Sequence, residues 1–349
     1  MSEPENFFVK SVGAEVKREA PAVSIIIPNY NTAEFIAETL DSVLAQTFSD
    51  YEIIVINDAA PDTDELKRVL EKYREKIVFI DKFINDGTSA TRNFAAQTAR
   101  GRFLCFLDAD DIWHPTFLEE LFRFLNDNDF DMVYADAEMF GVGYRAGESF
   151  LEYNPPEGEL TRRRLIEGRC IILPSGSLIK KSAFERAGGF DPEIRRTEDF
   201  DLWMRMIFQG ARIGYLRKVL FRFRIRPGSG SGDSLQRIER CMRIWQTLQK
   251  KLPFTEEENR IVNRNIELEH AALLRARGRL YINERNWSEA RKAFREARRK
   301  ASELKLPLKH RLKLTAVILL LYLSPEILLK AFRTFRSDEI EHMPSQISN

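Results

Sequence analysis

From Val23 to about Phe140 the chain alternates short β-branched runs with helical patterns, and this alternation constrains the fold more than any other feature. "VSIIIP", "YEIIVIND", "IVFIDKF" and "FLCFLDAD" read as strands, while "AEFIAETLDSVLAQT", "TDELKRVLEKYREK" and "TSATRNFAAQTARG" lie between them with helical spacing. In the first helical stretch Ile36, Leu40, Val43 and Leu44 fall on one face, with Asn31 placed as N-cap and Glu34 three residues on. The strands are continuous apolar runs, not alternating ones. That combination argues for a mainly parallel sheet buried on both faces, with right-handed crossover helices.

Beyond this block, "DMVYADAEMF", a polar insertion around "YNPPEGEL", "SGSLIKK", a helix opening at about Thr197 and "RIGYLRKVLFRFRI" continue the same domain as mixed α+β structure. "RPGSGSGD", residues 226–233, is a Gly/Ser-rich break that ends the domain or forms a loop over its site. After it the pattern is helical. Leu274, Gly278, Tyr281, Ala290, Phe294 and Ala297 resemble the small and aromatic spacing of one tetratricopeptide repeat. A lone hairpin of that kind cannot bury its own apolar face, so it requires neighbours. The expected division is a flexible lead-in over 1–22, an α/β domain over 23–235, a helical region over 236–308 and a basic, apolar segment over 309–349.

Charge and cysteine usage narrow the function classes. Lys and Arg total 54 against 53 Asp and Glu, which leaves no electrostatic footprint for nucleic acid. Cys105, Cys170 and Cys241 are odd in number and widely spaced, so they read as reduced thiols. The four histidines, His114, His270, His310 and His342, are too scattered for a zinc site, and any metal must be oxygen-bound. No basic n-region precedes an apolar h-region at the N-terminus, so a secretory signal is not expected. The one long apolar run, residues 314–329, is interrupted at Ser324-Pro325-Glu326 and falls short of the roughly 20 residues of a spanning helix.

Three strand ends carry unusual polar residues. The first ends in Pro28, Asn29, Tyr30 and Asn31, the second in Asn57 and Asp58, and the fourth in Asp108, Asp110 and Asp111. Each alone is ordinary, since Asn and Asp cap helices and Pro turns chains. Ligands of open parallel sheets bind beyond the carboxyl ends of strands, so the coincidence of all three points to one site. Neither G-x-G-x-x-G nor a P-loop is present, which makes dinucleotide oxidoreductases and P-loop enzymes poor fits. A diphosphate can instead be held by a hard divalent ion bridging carboxylates and phosphate oxygens, and Asp108-x-Asp110 suits that chemistry.

At this point "VSIIIPNYN", "LAQTFSDYEIIVINDAAPD", "NDGTSATRNFAAQTARGRFLCFLDADD" and "GGFDP…TEDFDLWMRM" resemble, in order, the signatures of family 2 glycosyltransferases with the GT-A fold, over residues 23 to about 230. The resemblance implies a Rossmann-like sheet with flanking helices and an inverting, nucleotide-sugar-dependent transferase. It implies Pro28, Tyr30, Asn31 and Asp58 against the nucleoside, Asp110 as ligand of a divalent metal, Mn²⁺ or Mg²⁺, and Asp108 toward the ribose or the metal. Asn57 stands where an aspartate is usual. Asp199 is implied as general base, with Glu198 orienting acceptor or metal. Asp111 reads as the N-cap of the next helix, and Asp201 as part of a helix N-terminal turn. Arg92 pairs either with phosphate oxygens or, in a structural bridge, with Asp108 or Asp58. Arg226 replaces the family's usual histidine and, unable to ligate a metal, is expected on the pyrophosphate. Trp203 stacks on an acceptor sugar or, given its spacing with Met206 and Ile207, packs in the core.

The implied substrates are a nucleotide-diphosphate sugar, UDP-linked, and a hydroxyl of a glycan or lipid-linked acceptor in cell-envelope synthesis. The implied location is cytoplasmic, at the inner face of the cell membrane. "KHRLKLTAVILLLYLSPEILLKAFRTFR" reads as an anchor on an anionic membrane surface or as a helix pair packed on protein. Asn57 and Arg226 also leave room for a second class of function, a nucleotide-sugar-binding or helical scaffold without catalysis. A sugar nucleotidyltransferase needs a glycine-rich loop after the first strand, which "PNYN" is not.

Overall fold

The computed structural model describes residues 7–10, 20–142, 147–151, 154–168, 170–226 and 234–334. It divides into two compact units, one formed by residues 1–165 and 170–226 and the other by 166–169 and 227–349. Most of the "RPGSGSGD" break and the last 15 residues lie outside the described residues.

The first unit runs β1 (Phe7–Lys10), β2 (Val23–Asn29), α1 (Ile36–Leu44), β3 (Tyr51–Asn57), α2 (Thr63–Leu70), β4 (Val78–Lys82), α3 (Thr88–Thr98), β5 (Phe103–Phe106) and β6 (Ile112–Trp113). It continues with α4 (Phe117–Asp127), β7 (Met132–Gly141), β8 (Gly158–Glu159), α5 (Arg162–Ile166), β9 (Ser177–Lys180), α6 (Lys181–Arg186), α7 (Glu198–Phe208) and β10 (Ile213–Ile225). The strands form one sheet in the order β1-β4-β3-β2-β5-β9-β7-β10-β6, with β8 beside β10. The run expected to be parallel is parallel, with β2 between β3 and β5 and β4 beyond β3. β9 then enters antiparallel to both β5 and β7, and β7 and β10 pair parallel, so the sheet as a whole is mixed. Phe7–Lys10, inside the segment expected as a lead-in, pairs antiparallel with β4.

The continuous apolar runs have the burial they predict. Val23, Ile25, Ile26 and Ile27 are buried on both faces of the sheet, as are Ile53 to Ile56 and Phe103 to Phe106. On one side Ile36, Leu40 and Val43 of α1 join Leu118, Leu121 and Leu125 of α4 in the main core. Strand order reverses at β2, whose successor lies on one side and β5 on the other. A crevice for a ligand opens at such a reversal.

Asn31 is not the N-cap of α1. The helix begins five residues later, at Ile36, and Asn31 takes a left-handed conformation (φ 57°). The carboxylate of Asp62 accepts the backbone N–H groups of Asn31 and Ala33 at 3.2 and 2.7 Å, so a distant aspartate satisfies the turn.

The second unit consists of α8 (Ser234–Lys251), α9 (Glu256–Asn283), α10 (Trp287–Glu303), α11 (Leu308–Leu323) and α12 (Pro325–Thr334). Thr255 and Glu258 close a capping box at the start of α9. α9 and α10 form the repeat-like hairpin. Gly278 is needed there because a Cβ would sit 2.6 Å from the Phe294 ring. The neighbours such a hairpin requires are α11 and α12, which add Leu314, Leu321, Leu328 and Leu329 to Leu274, Ile282, Ala290 and Phe294.

Candidate active site

β2 ends in Pro28 and Asn29, and Tyr30 follows, 52% exposed beyond the carboxyl end of the strand. Asn29 is buried and faces Asn57, which ends β3 in register with it. The Asn57 amide donates to Thr63 Oγ1 and to Asp81 Oδ1, both at 2.8 Å. Asp58 is buried beside it, and its Oδ1 lies 2.6 Å from Nζ of Lys82, which is also buried. Lys82 donates further to Thr91 Oγ1 at 2.7 Å and pairs with Asp86. Asp58 also accepts the backbone N–H groups of Asp86 and Gly87 at 3.3 and 3.1 Å. The implied nucleoside aspartate therefore also organises the turn that starts α3. Lys82 was not singled out in the sequence; its position at the end of the third strand of the parallel block was the available signal.

The acidic loop after β5 is held by arginines. Arg92 of α3 is buried and lies 2.6 Å from Asp108 Oδ1 and 3.1 Å from Glu198 Oε1. The bridge to Asp108 is present and extends to Glu198, while Asp58 is paired with Lys82. The backbone N–H of Asp108 donates to Ser175 Oγ at 3.1 Å. Arg226 donates from Nε to Asp110 Oδ2 at 2.6 Å. Arg224, two residues earlier near the end of β10, donates from Nε to the Asp110 carbonyl at 2.8 Å. Its alternation with Arg222 and Arg226 in "FRFRIR" was the sequence signal for that convergence.

Asp111 does not cap the following helix. It is buried, its Oδ1 accepts the Arg224 backbone N–H at 2.9 Å, and Oδ2 has no hydrogen-bond partner. α4 starts at Phe117 with Thr116 at the N-cap, because His114 and Pro115 intervene. Burial raises the Asp111 carboxyl well above the usual carboxylate range, and Asp108 and Asp110 add to the effect.

Glu198 and Asp199 open α7, where the helix dipole favours negative charge. Burial, followed by the charge of Glu198, pushes the Asp199 carboxyl up to about 7. Asp201, in the same first turn, is buried and paired with Arg205 at 2.7 Å. Trp203 is 1% exposed and packs in the core, which is the second of its two readings. Burial at that level leaves no ring face for a sugar.

Whether the loop suits a divalent ion can be tested on its own atoms. Arg92 and Arg226 engage one oxygen each of Asp108 and Asp110, and the second oxygen of each remains for another partner. Burial and then the charge of Asp108 raise the Asp110 carboxyl above its ordinary value, and a cation beside it would offset both. Among the described residues no group of three His, Cys, Asp or Glu side chains is placed to hold a metal. Two carboxylates completed by phosphate oxygens and water are a sufficient donor set for Mg²⁺ or Mn²⁺, so the residues fit such an ion when a diphosphate is present.

Residues 24–188 match the family model described as "Glycosyl transferase family 2". An uncharacterized glycosyltransferase of Rickettsia bellii is 31% identical over 245 residues, 68% of this chain and 34% of that protein. One from Rickettsia prowazekii is 30% identical over 252 residues, 68% of this chain and 74% of that protein. A protein described as a putative teichuronic acid biosynthesis glycosyltransferase, TuaG of Bacillus subtilis, is 25% identical over 66% of this chain and 89% of its own. The chain thus spans about a third of the length of the longer rickettsial relative. Among solved structures, residues 1–349 of S. aureus TarS in complex with UDP-GlcNAc superpose with a TM-score of 0.59 at 22% identity, covering 80% of this chain and 81% of that one. The mannosyltransferase PcManGT of Pyrobaculum calidifontis, in complex with GDP-Man and Mn²⁺, gives 0.54 at 19% identity, covering 94% and 87%. These likenesses share the fold, a curled mixed α/β sheet with flanking helices followed by a helical region. Sequence and fold together make this chain a member of glycosyl transferase family 2, with the GT-A fold.

Proposed function

We propose that this chain transfers a sugar, with inversion, from a UDP-linked donor to a hydroxyl of a glycan or lipid-linked acceptor in cell-envelope synthesis. The observation that carries the reading is the Arg92 bridge. It joins Asp108, beyond β5, to Glu198, at the start of α7, and so brings donor-side carboxylates and Asp199 to one site.

Tyr30, with Pro28 and Asn31 at the turn around it, offers an exposed ring to the base, while Asp58 faces the ribose from a position locked by Lys82. Asp110, with Asp108, would hold Mn²⁺ or Mg²⁺, which when bound stabilises the charge that develops on the departing diphosphate. Arg226, paired with the Asp110 carboxylate, would meet the pyrophosphate held beside it. Asp199 takes the proton from the acceptor hydroxyl, and its raised pKa, about 7, keeps it basic enough for the task near neutral pH. The hydroxyl oxygen forms its bond to the anomeric carbon as the bond to the diphosphate breaks on the opposite face. The leaving group keeps the electron pair and the anomeric centre inverts. Glu198, held by Arg92, orients the acceptor.

The envelope placement is supported by the likeness to a protein described as serving teichuronic acid biosynthesis, and the donor class by neighbours bound to UDP-GlcNAc and GDP-Man. The same reading puts the work in the cytoplasm at the inner face of the membrane. Thermal-shift measurement against a panel of nucleotide sugars with Mn²⁺ tests the donor. UDP-sugars should raise Tm in wild type but not in Asp110→Ala, and the absence of any shift across the panel counts against the reading.

A further inference from the structure

α11 has two apolar faces, and only one is covered. Leu314, Leu321, Val317 and Ile318 pack into the core of the helical unit. Leu308, Leu312, Leu319 and Leu323 are 60%, 57%, 55% and 78% exposed. At 3.6 residues per turn these four side chains share an arc of about 60° on the other side of the helix. Ile327 of α12 adds a further exposed side chain (62%). Scattered exposed leucines are ordinary, but an aligned row opposite a face already packed in the core is an apolar stripe that a covering phase would stabilise.

The charges around the row indicate what covers it. α11 contains no acidic residue. Lys309 and Lys313 are exposed along one margin of the row. On the other margin Tyr322 is half exposed, with the guanidinium groups of Arg291 and Arg295 at 5.0 and 5.3 Å from its ring centroid. Cations in the first two turns of a helix oppose its dipole. Burial and then the charges of Lys309, Arg275 and Lys313 push His310 below its ordinary value, which reports a positive field at this end of the helix. An anionic surface offsets that cost. Among the described residues no helix is long and apolar enough to cross a membrane. At about 1.5 Å per residue α11 is shorter than the hydrocarbon layer is thick, so it suits lying in the interface and not spanning it.

We propose that α11, with Ile327 of α12, is an in-plane docking surface for an anionic lipid bilayer, its leucine row in the acyl boundary and Lys309, Lys313, Arg291 and Arg295 on the headgroups. This specifies the membrane-side placement proposed above and rests on it, while standing apart from the sugar-transfer chemistry.

The test is flotation of the full chain with phosphatidylcholine vesicles, with and without phosphatidylglycerol. Wild type should float with the anionic vesicles and bind neutral ones far more weakly. Leu312→Gln with Leu319→Gln should weaken binding about tenfold or more per leucine. Lys309→Glu with Lys313→Glu should weaken binding to anionic vesicles by about fivefold or more per lysine, with little effect on neutral ones. Both variants change exposed positions and should keep the wild-type Tm and the wild-type donor hydrolysis, so loss of flotation alone concerns the docking surface. Wild type that stays with the protein fraction, or a leucine variant that floats like wild type, overturns the proposal. Light scattering that shows a wild-type dimer abolished by the leucine pair, with no flotation, overturns it in favour of a second copy on this face.

Discussion

Arg226 Nε donates to Asp110 Oδ2 at 2.6 Å, so a guanidinium engages the carboxylate expected to meet the metal. Arg226→Ala leaves Asp110 without that partner. Mn²⁺ binding in the absence of donor, read by isothermal titration, should then tighten about fivefold, the effect of a half-buried charge pair worth about 1 kcal/mol. UDP binding should weaken in the same variant, because Arg226 would no longer reach the diphosphate. Unchanged Mn²⁺ affinity would mean that arginine and metal do not compete.

Arg92 is buried and bonded to two carboxylates. Arg92→Ala leaves Asp108 and Glu198 without their counter-charge, and loss of about 3–5 kcal/mol of stability is expected in urea unfolding. Arg92→Lys keeps the charge but cannot span both partners with a planar fork, so it should restore only part of that loss. A cost near zero for Arg92→Ala would contradict the structural part of its role.

Asp199 sets the pH dependence. Its folded pKa is raised to about 7, so the basic form is lost as pH falls through 7, and turnover should decline on that side. For stability the sign is opposite: the carboxyl stabilises the fold while protonated, and that contribution is lost as pH rises through 7. Asp199→Asn should therefore lower kcat about 10²–10⁴-fold. The same variant should raise Tm relative to wild type at pH 8 by about 2–4 °C, and match it only below about pH 4, where the carboxyl is protonated in the folded and unfolded chain alike. A variant with an unchanged rate would remove Asp199 from the chemistry.

Asn57 stands where the family resemblance leads one to expect aspartate, and its neighbourhood gives a reason. Its amide donates to the carboxylate of Asp81 at 2.8 Å. Asn57→Asp sets two carboxylates in contact and should cost about 1–3 kcal/mol near neutral pH, with the loss shrinking in acid. Thermal unfolding across pH reads this directly, and equal stability at pH 7 would exclude the conflict.

The parallel block was legible because burial on both faces requires continuous apolar runs, and Ile25 to Ile27 and Ile53 to Ile56 show just that. β9 escaped the parallel pattern: "SLIK" looks like any other strand, and its direction is set by partners far away in sequence. The strand-end residues were visible as unusual polar types, yet their pairings were not. Asp111 resembled a cap because Asp often caps, whereas its real partner is the backbone of Arg224, 113 positions away. Lys82 and Arg224 carried only positional signals, a strand end and the alternation in "FRFRIR", because the groups they meet, Asp58 and the Asp110 carbonyl, are supplied by the fold.

If Asp110 and Asp199 belong to one transferase site, the release of UDP from UDP-sugars with Mn²⁺ should depend on both, and it can be compared in wild type, Asp110→Ala and Asp199→Asn. Wild type should release UDP at least about 10²-fold faster than Asp110→Ala, with Asp199→Asn also impaired when acceptor is supplied. Release by wild type no faster than by Asp110→Ala, for every donor tried, would contradict it.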